Sequence, residues 1–225
     1  MQPQDSSILS LLMAYLFLLL LLNQQTGVQA QGLIPDNFDG FVYGKKSGFN
    51  PETVMIEAFF DPVCPDTRDS WAPLKQALKF YGPRVSLIVH PFALPYHDNA
   101  FVSSRALHIV NDLNSSATYT LLEMFFENQE KFYNINTSNL TRTAIVNYII
   151  DFATQAVGRT YYSAVKSGFS NRQSDLKTRA SFKYGCSRGV LGTPQFFVNG
   201  FPAPDVGSAI DYDLWRKIID PLIGF

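Results

Sequence analysis

Two cysteines in 225 residues are too few for a disulfide-stapled miniprotein or a four-cysteine zinc site. The three histidines, His90, His97 and His108, lack the close spacing of metal ligands. No metal is therefore expected, and His97 is read as structural. Charge is also sparse, at 16% of residues with a formal net charge of −1 and no Lys/Arg-rich run. That argues against nucleic-acid binding by phosphate neutralisation and against stable contact with an anionic membrane. No internal repeat, Ser-His-Asp arrangement or glycine-rich phosphate loop stands out. What the chain does have is core material: 46% hydrophobic residues, including 19 Phe and 11 Tyr. This suits one packed domain and excludes wholesale disorder.

Ile8 to Leu22 is apolar apart from Ser10 and Tyr15. At 1.5 Å per residue it spans roughly 22 Å, short of a ~30 Å hydrocarbon core. Polar Asn23-Gln24-Gln25 follows, and Val28-Gln29-Ala30 suits signal peptidase, so residues 1–30 are expected to be a signal peptide cut after Ala30. Residues 1–7 hold no Lys or Arg, which leaves an uncleaved signal anchor as the alternative. Cleavage would remove Asp5 and no basic residue, leaving a neutral domain over 31–225. In the secretory pathway cysteines meet oxidising conditions. Asn114, Asn136 and Asn139 then become glycosylation acceptors in Asn-x-Ser/Thr sequons. The C-terminal Pro221-Leu222-Ile223-Gly224-Phe225 carries no ER-retention tetrapeptide, so a secreted or endomembrane-lumen location is expected.

Val54 to Phe60 is apolar on both faces, like a central strand. A helix should open at Cys64, with Pro65 at N1 and Asp66 in the first turn, and run to Phe80 with a bend at Pro73. Val85 to Val89 predicts a second strand, parallel to the first through a right-handed crossover. Helical periodicity then dominates from Asn99 to Arg188: a first helix to Leu113, a second ending at Asn134, a third capped by Ser138, then Tyr161–Phe169 and Ser174–Arg188. Gln195 to Val198 predicts a strand closed by the Asn199-Gly200 turn, and Ile210 to Ile223 a last helix. The expected fold is α/β, with a core over about 52–98 and 189–225 and an all-helical cap inserted at about 99–188.

Two motifs carry chemistry. Cys64 sits between a strand and a helix opened by Pro65, where the helix dipole favours a thiolate. Gly189-Val190-Leu191-Gly192-Thr193-Pro194 places a proline at the start of a strand, which a cis Thr193–Pro194 bond would explain.

With these motifs, His90-Pro91-Phe92-Ala93-Leu94-Pro95-Tyr96-His97-Asp98-Asn99-Ala100 and Phe126-Glu127-Asn128-Gln129, the sequence from about Glu52 to Phe225 resembles the DsbA-like branch of the thioredoxin superfamily, including its secreted plant-type members. The resemblance implies a thioredoxin-like fold with a helical cap. It also implies a cis-proline loop lying against the active thiol, so that Pro65, Asp66, Thr193 and Pro194 help bind substrate.

The departures bear on activity. The family's Cys-x-x-Cys reads Cys64-Pro65-Asp66-Thr67 here, so Thr67 holds the resolving position and could only hydrogen-bond a Cys64 thiolate. The position of the oxidase's histidine is Asp66, whose negative charge opposes the dipole, with Arg68 as a partial offset. The family's buried acid would fall at Ala58; Glu57 is one residue off, and strand alternation would put it on the wrong face. Cys186 is open to three readings: an inert buried cysteine, a structural partner of Cys64, or a transient resolving thiol.

The function expected is a secreted thiol–disulfide oxidoreductase-like protein. Cys64 is its nucleophile, Thr67 steadies the thiolate, and protein thiols or disulfides are its substrates. It needs no resident cofactor, and glutathione serves as a co-substrate. The alternatives are a redox-inactive client-binding protein and, further off, a kappa-class glutathione transferase or isomerase-like activity. The exchange reading expects the Cys64 sulfur to stand open beside Pro194; an unreactive Cys64 would favour the client-binding protein.

Overall fold

The computed structural model describes residues 13, 15, 38–44, 53–204 and 208–224. The expected leader and its cleavage point lie outside these residues, Met13 and Tyr15 aside. The chain divides into two units, Met1–Asp36 and Asn37–Phe225, and the fold is that of the second.

The elements run β1 (Phe41–Val42), β2 (Val54–Phe60), α1 (Pro65–Tyr81), β3 (Val85–Pro91), α2 (Ala100–Leu113), α3 (Thr118–Glu127), α4 (Asn134–Thr137), α5 (Arg142–Val157), α6 (Tyr162–Ser170), α7 (Arg172–Ser187), β4 (Gln195–Val198), β5 (Phe201–Pro202) and α8 (Tyr212–Ile223). The five strands form one sheet in the order β1-β3-β2-β4-β5. β2 and β3 are parallel, as a β-α-β crossover requires, while β1, β4 and β5 pair antiparallel with their neighbours.

Alternation along β2 decides what each face meets. Ile56, Ala58 and Phe60 join the large core with Trp71 and Leu74 of α1 and Trp215 and Ile219 of α8. Glu57 and Phe59 face the other way, toward Tyr184 of α7. The apolar residues of the insertion α2–α7, with Phe125 and Phe152 near Phe132, continue the same core. The insertion is tied to α1 through Trp71, whose ring stacks on Tyr119 at 5.8 Å and whose Nε1 donates to Glu123 at 2.9 Å.

Four boundaries differ from the sequence reading. The second insertion helix stops at Glu127, and a short 3-10 turn, Gln129–Phe132, follows. The cap of the next long helix is Thr141, whose Oγ1 accepts from Ala144 N, and not Ser138, whose hydroxyl donates to the Ile135 carbonyl. Asn171 caps α7 and Asp211 caps α8, each a side-chain acceptor at a helix start. β1 was not anticipated; two residues held by backbone pairing to β3 leave no periodic signal.

Candidate thiol site

Cys64 is the N-cap of α1, reached by a sharp turn from β2 in which its N–H donates to the Asp61 carbonyl at 3.1 Å. Pro65 occupies the first helical position, where no N–H is needed. The thiol donates to the Thr193 carbonyl at 3.3 Å, and the Thr193–Pro194 peptide is cis. Residues 129 positions apart are thus joined, and the two sequence motifs form one site. Asp66 is exposed in the first turn, while Arg68 pairs with Asp69 at 2.8 Å and so offsets that charge, not Asp66's.

The sulfur does not stand open. Cys64 is only 3% exposed, within a small apolar cluster of Phe59, Phe92, Leu94, Val190 and Phe197. Beside it the cis-proline loop presents Leu191, 87% exposed, and the 92–99 loop presents Tyr96, 63% exposed. Thr67 is fully buried, but its Oγ1 makes no hydrogen bond, so the expected Thr67-to-Cys64 contact is not made. Thr193 Oγ1 is likewise buried and unpartnered.

Cys186 is neither buried nor bonded to Cys64: both cysteines are free, and Cys186 is exposed near the end of α7. The reason lies one residue earlier. Gly185 is the position that turns inward, so close that an added Cβ would come within 2.4 Å of the Phe92 ring. The neighbouring Cys186 points outward.

Two residues that the sequence reading passed over hold the loop in place. Gln129, buried at the start of the 3-10 turn, donates its amide to the carbonyls of Pro62 (3.1 Å) and Cys64 (2.7 Å). Asp61 is completely buried and accepts from Val63 N (2.9 Å), Leu94 N (3.1 Å) and His97 Nδ1 (2.9 Å). Burial raises the Asp61 pKa, against the lowering effect of these three donors. The signal was present in the Gln129 and His97 motifs, but not the partner to which each belongs.

Glu57 lies on the face opposite Ala58, as strand alternation requires. Phe59, on the same face of β2 as Glu57, belongs to the apolar cluster around Cys64. Glu57 itself is engaged elsewhere. Its carboxylate accepts from Tyr184 OH at 2.8 Å, pairs with Arg188 at 3.2 Å and lies 3.6 Å from His90 Nε2. His90 in turn contacts Asp39 at 2.8 Å, and Ser181 bridges Asp39 (2.6 Å) to His108 (3.0 Å). His90, then Tyr184 and Arg188, hold the Glu57 pKa down against burial. Burial opposes charge on His90, but Asp39 and Glu57 outweigh it and its pKa is raised. Burial, against the opposing charges of Asp39 and Asp112, brings His108 down to about 4.

Asn114, Asn136 and Asn139 are all exposed on the insertion. Asn136 Nδ2 donates to the Glu130 carbonyl at 2.6 Å. Among the described residues no cluster of metal-ligating side chains occurs, and no helix is long and apolar enough to cross a membrane.

A mixed sheet with an inserted helical unit, and a cysteine at a helix start facing a cis-proline loop, is a thioredoxin-like arrangement. A family model described as thioredoxin matches residues 41–221, and the chain belongs to that family. Among solved structures it resembles a candidate protein-disulfide isomerase from Pseudomonas syringae (TM-score 0.65, 19% identity, covering 80% of this chain and 98% of that one). BdbD from Bacillus subtilis superimposes with a TM-score of 0.64 at 14% identity, over 83% of this chain and 94% of that one. A periplasmic thioredoxin-like protein from Salmonella enterica serovar Typhimurium gives 0.58 at 15% identity, over 83% and 91%. No match was found among curated proteins.

Proposed function

We propose that this chain is a secreted thiol–disulfide oxidoreductase-like protein working through a single thiol, Cys64. The observation that carries the reading is the 3.3 Å contact from Cys64 Sγ to the Thr193 carbonyl, at the N-terminus of a seventeen-residue helix. A thiolate there gains from the helix dipole. It attacks a substrate disulfide, forming a mixed disulfide and releasing the other substrate sulfur as a thiolate. Thr67 offers no second sulfur, so an external thiol of the glutathione class attacks the mixed disulfide and regenerates Cys64. Pro65, Asp66, Thr193 and Pro194 border the substrate, and exposed Leu191 and Tyr96 supply apolar contact for its chain. No resident cofactor is needed.

The leader and the three sequons support passage through the secretory pathway, where protein disulfides are available as substrates. A second reading, a redox-inactive protein that binds clients in the same cleft, is favoured by the 3% exposure of Cys64. Under the first reading the loops carrying Leu191 and Tyr96 must part for exchange to occur.

Alkylation of the folded Cys186→Ala protein across pH separates the two. The exchange reading expects Cys64 to be labelled under native conditions. Labelling only after denaturation supports the binding protein.

A further inference from the structure

Both peptide units that border Cys64 are pinned. Its N–H donates to the Asp61 carbonyl at 3.1 Å, and its own carbonyl accepts from Arg68 N at 3.1 Å and from Gln129 Nε2 at 2.7 Å. Pro65 bars Cys64 from the helical region, and the residue sits at φ −85° and ψ 124°. With the backbone fixed, rotation about Cα–Cβ is what remains to place the sulfur. In the rotamer adopted, Sγ meets the Thr193 carbonyl at 3.3 Å. Of the three pinning partners, only Gln129 comes from the insertion. It is 1% exposed, and its amide is used at both ends: Nε2 also donates to the Pro62 carbonyl at 3.1 Å, while Oε1 accepts from Tyr133 OH at 2.9 Å. Two carbonyls cannot donate, so the NH2 end must face them, and Tyr133 holds the opposite end. The turn that carries Gln129 is itself anchored by buried Phe132, whose ring lies 5.1 Å from Phe125 and 5.4 Å from Phe152.

We infer that Gln129, oriented by Tyr133, is a positioning residue for Cys64: through this one amide the insertion sets the direction in which the sulfur meets a substrate disulfide beside Thr193 and Pro194. This rests on the exchange reading above. Exchange is directional. Cys64 S⁻ approaches along the substrate S–S axis, the Cys64–S bond forms as that S–S bond breaks, and the electron pair leaves on the other substrate sulfur. A small alkylating reagent orients itself to whatever direction the sulfur takes, whereas a disulfide held against the cis-proline loop cannot. Loss of the Gln129 amide should therefore move the two reactions in opposite directions. Alkylation becomes faster as the loop loosens, and exchange becomes slower as the sulfur loses its direction. A residue that merely stabilised the fold would move both together.

The test is a ratio of two rates in the Cys186→Ala protein: exchange with oxidised glutathione, followed as the Cys64 adduct, over alkylation by iodoacetamide. Gln129→Glu keeps the shape of the side chain but replaces both donors by acceptors. It should lower the ratio by about 10-fold, as should Gln129→Ala. Tyr133→Phe removes one hydroxyl and leaves the amide, and should lower the ratio by about threefold. This milder variant carries the test if the Gln129 variants do not fold. Proton NMR couplings between Hα and Hβ of Cys64 should report one χ1 rotamer in the parent and an average over rotamers in Gln129→Glu. A ratio unchanged in folded variants, or rotamer averaging already present in the parent, overturns the inference and leaves the exchange reading standing. A parent protein that forms no glutathione adduct overturns the exchange reading, and the inference with it.

Discussion

Gly185 shows how tightly the surroundings of Cys64 are fitted. A methyl there would lie 2.4 Å from Phe92 Cδ2 and 2.8 Å from Cε2, and Phe92 is stacked on Phe182 at 4.9 Å. Gly185→Ala is expected to cost about 1–3 kcal/mol through overpacking, measurable by urea unfolding. The charged residues behind Phe59 give a pH signature. His90 has a raised pKa, so its stabilisation is complete below its ordinary value of about 6.5 and fades as pH rises through the raised one. Glu57, held low, stabilises above its ordinary range and loses this as pH falls. His108, neutral in the fold down to about pH 4, makes the fold lose stability as pH drops below about 6.5. Asp39→Asn should therefore cost about 3 kcal/mol near pH 6, since it removes the nearer of the two carboxylates beside the buried His90 cation. The cost should shrink at alkaline pH, where His90 is neutral. A pH-independent cost would contradict this assignment of charge.

Among the elements, the 3-10 turn after α3 has the largest local leverage, because Gln129 carries two buried carbonyls of the Cys64 loop. Gln129→Ala removes the side-chain donor from the Pro62 carbonyl and leaves the Cys64 carbonyl with Arg68 N–H alone; it should cost about 1–3 kcal/mol, with faster alkylation of Cys64 as its loop loosens. The strand β2, the helix start at Pro65 and the long insertion helices were legible, because apolar runs and cap residues are local signals. Thr141 displaced Ser138 as a cap because either hydroxyl suits the role and only tertiary packing decides the helix start. Asp61 with His97, Gln129 with Cys64, and Asp39 with His90 are separated by 36, 65 and 51 positions, so no local pattern could join them.

For the whole molecule, the question is what a thioredoxin-family fold does with one active-site sulfur. Thr67 is fully buried with an unpartnered hydroxyl, so Thr67→Val should be neutral or stabilising by up to about 1 kcal/mol in thermal unfolding. Thr67→Cys should complete a Cys-x-x-Cys and convert exchange that depends on added thiol into dithiol oxidation of a reduced peptide. A Thr67→Cys protein that folds but never forms the internal disulfide would show that this helix start does not support family chemistry. The most direct test is the intact mass of the folded Cys186→Ala protein after incubation with oxidised glutathione. The account predicts a single glutathione adduct on Cys64 that reduced glutathione removes. No adduct on the native protein, with full adduct formation after unfolding, would contradict it.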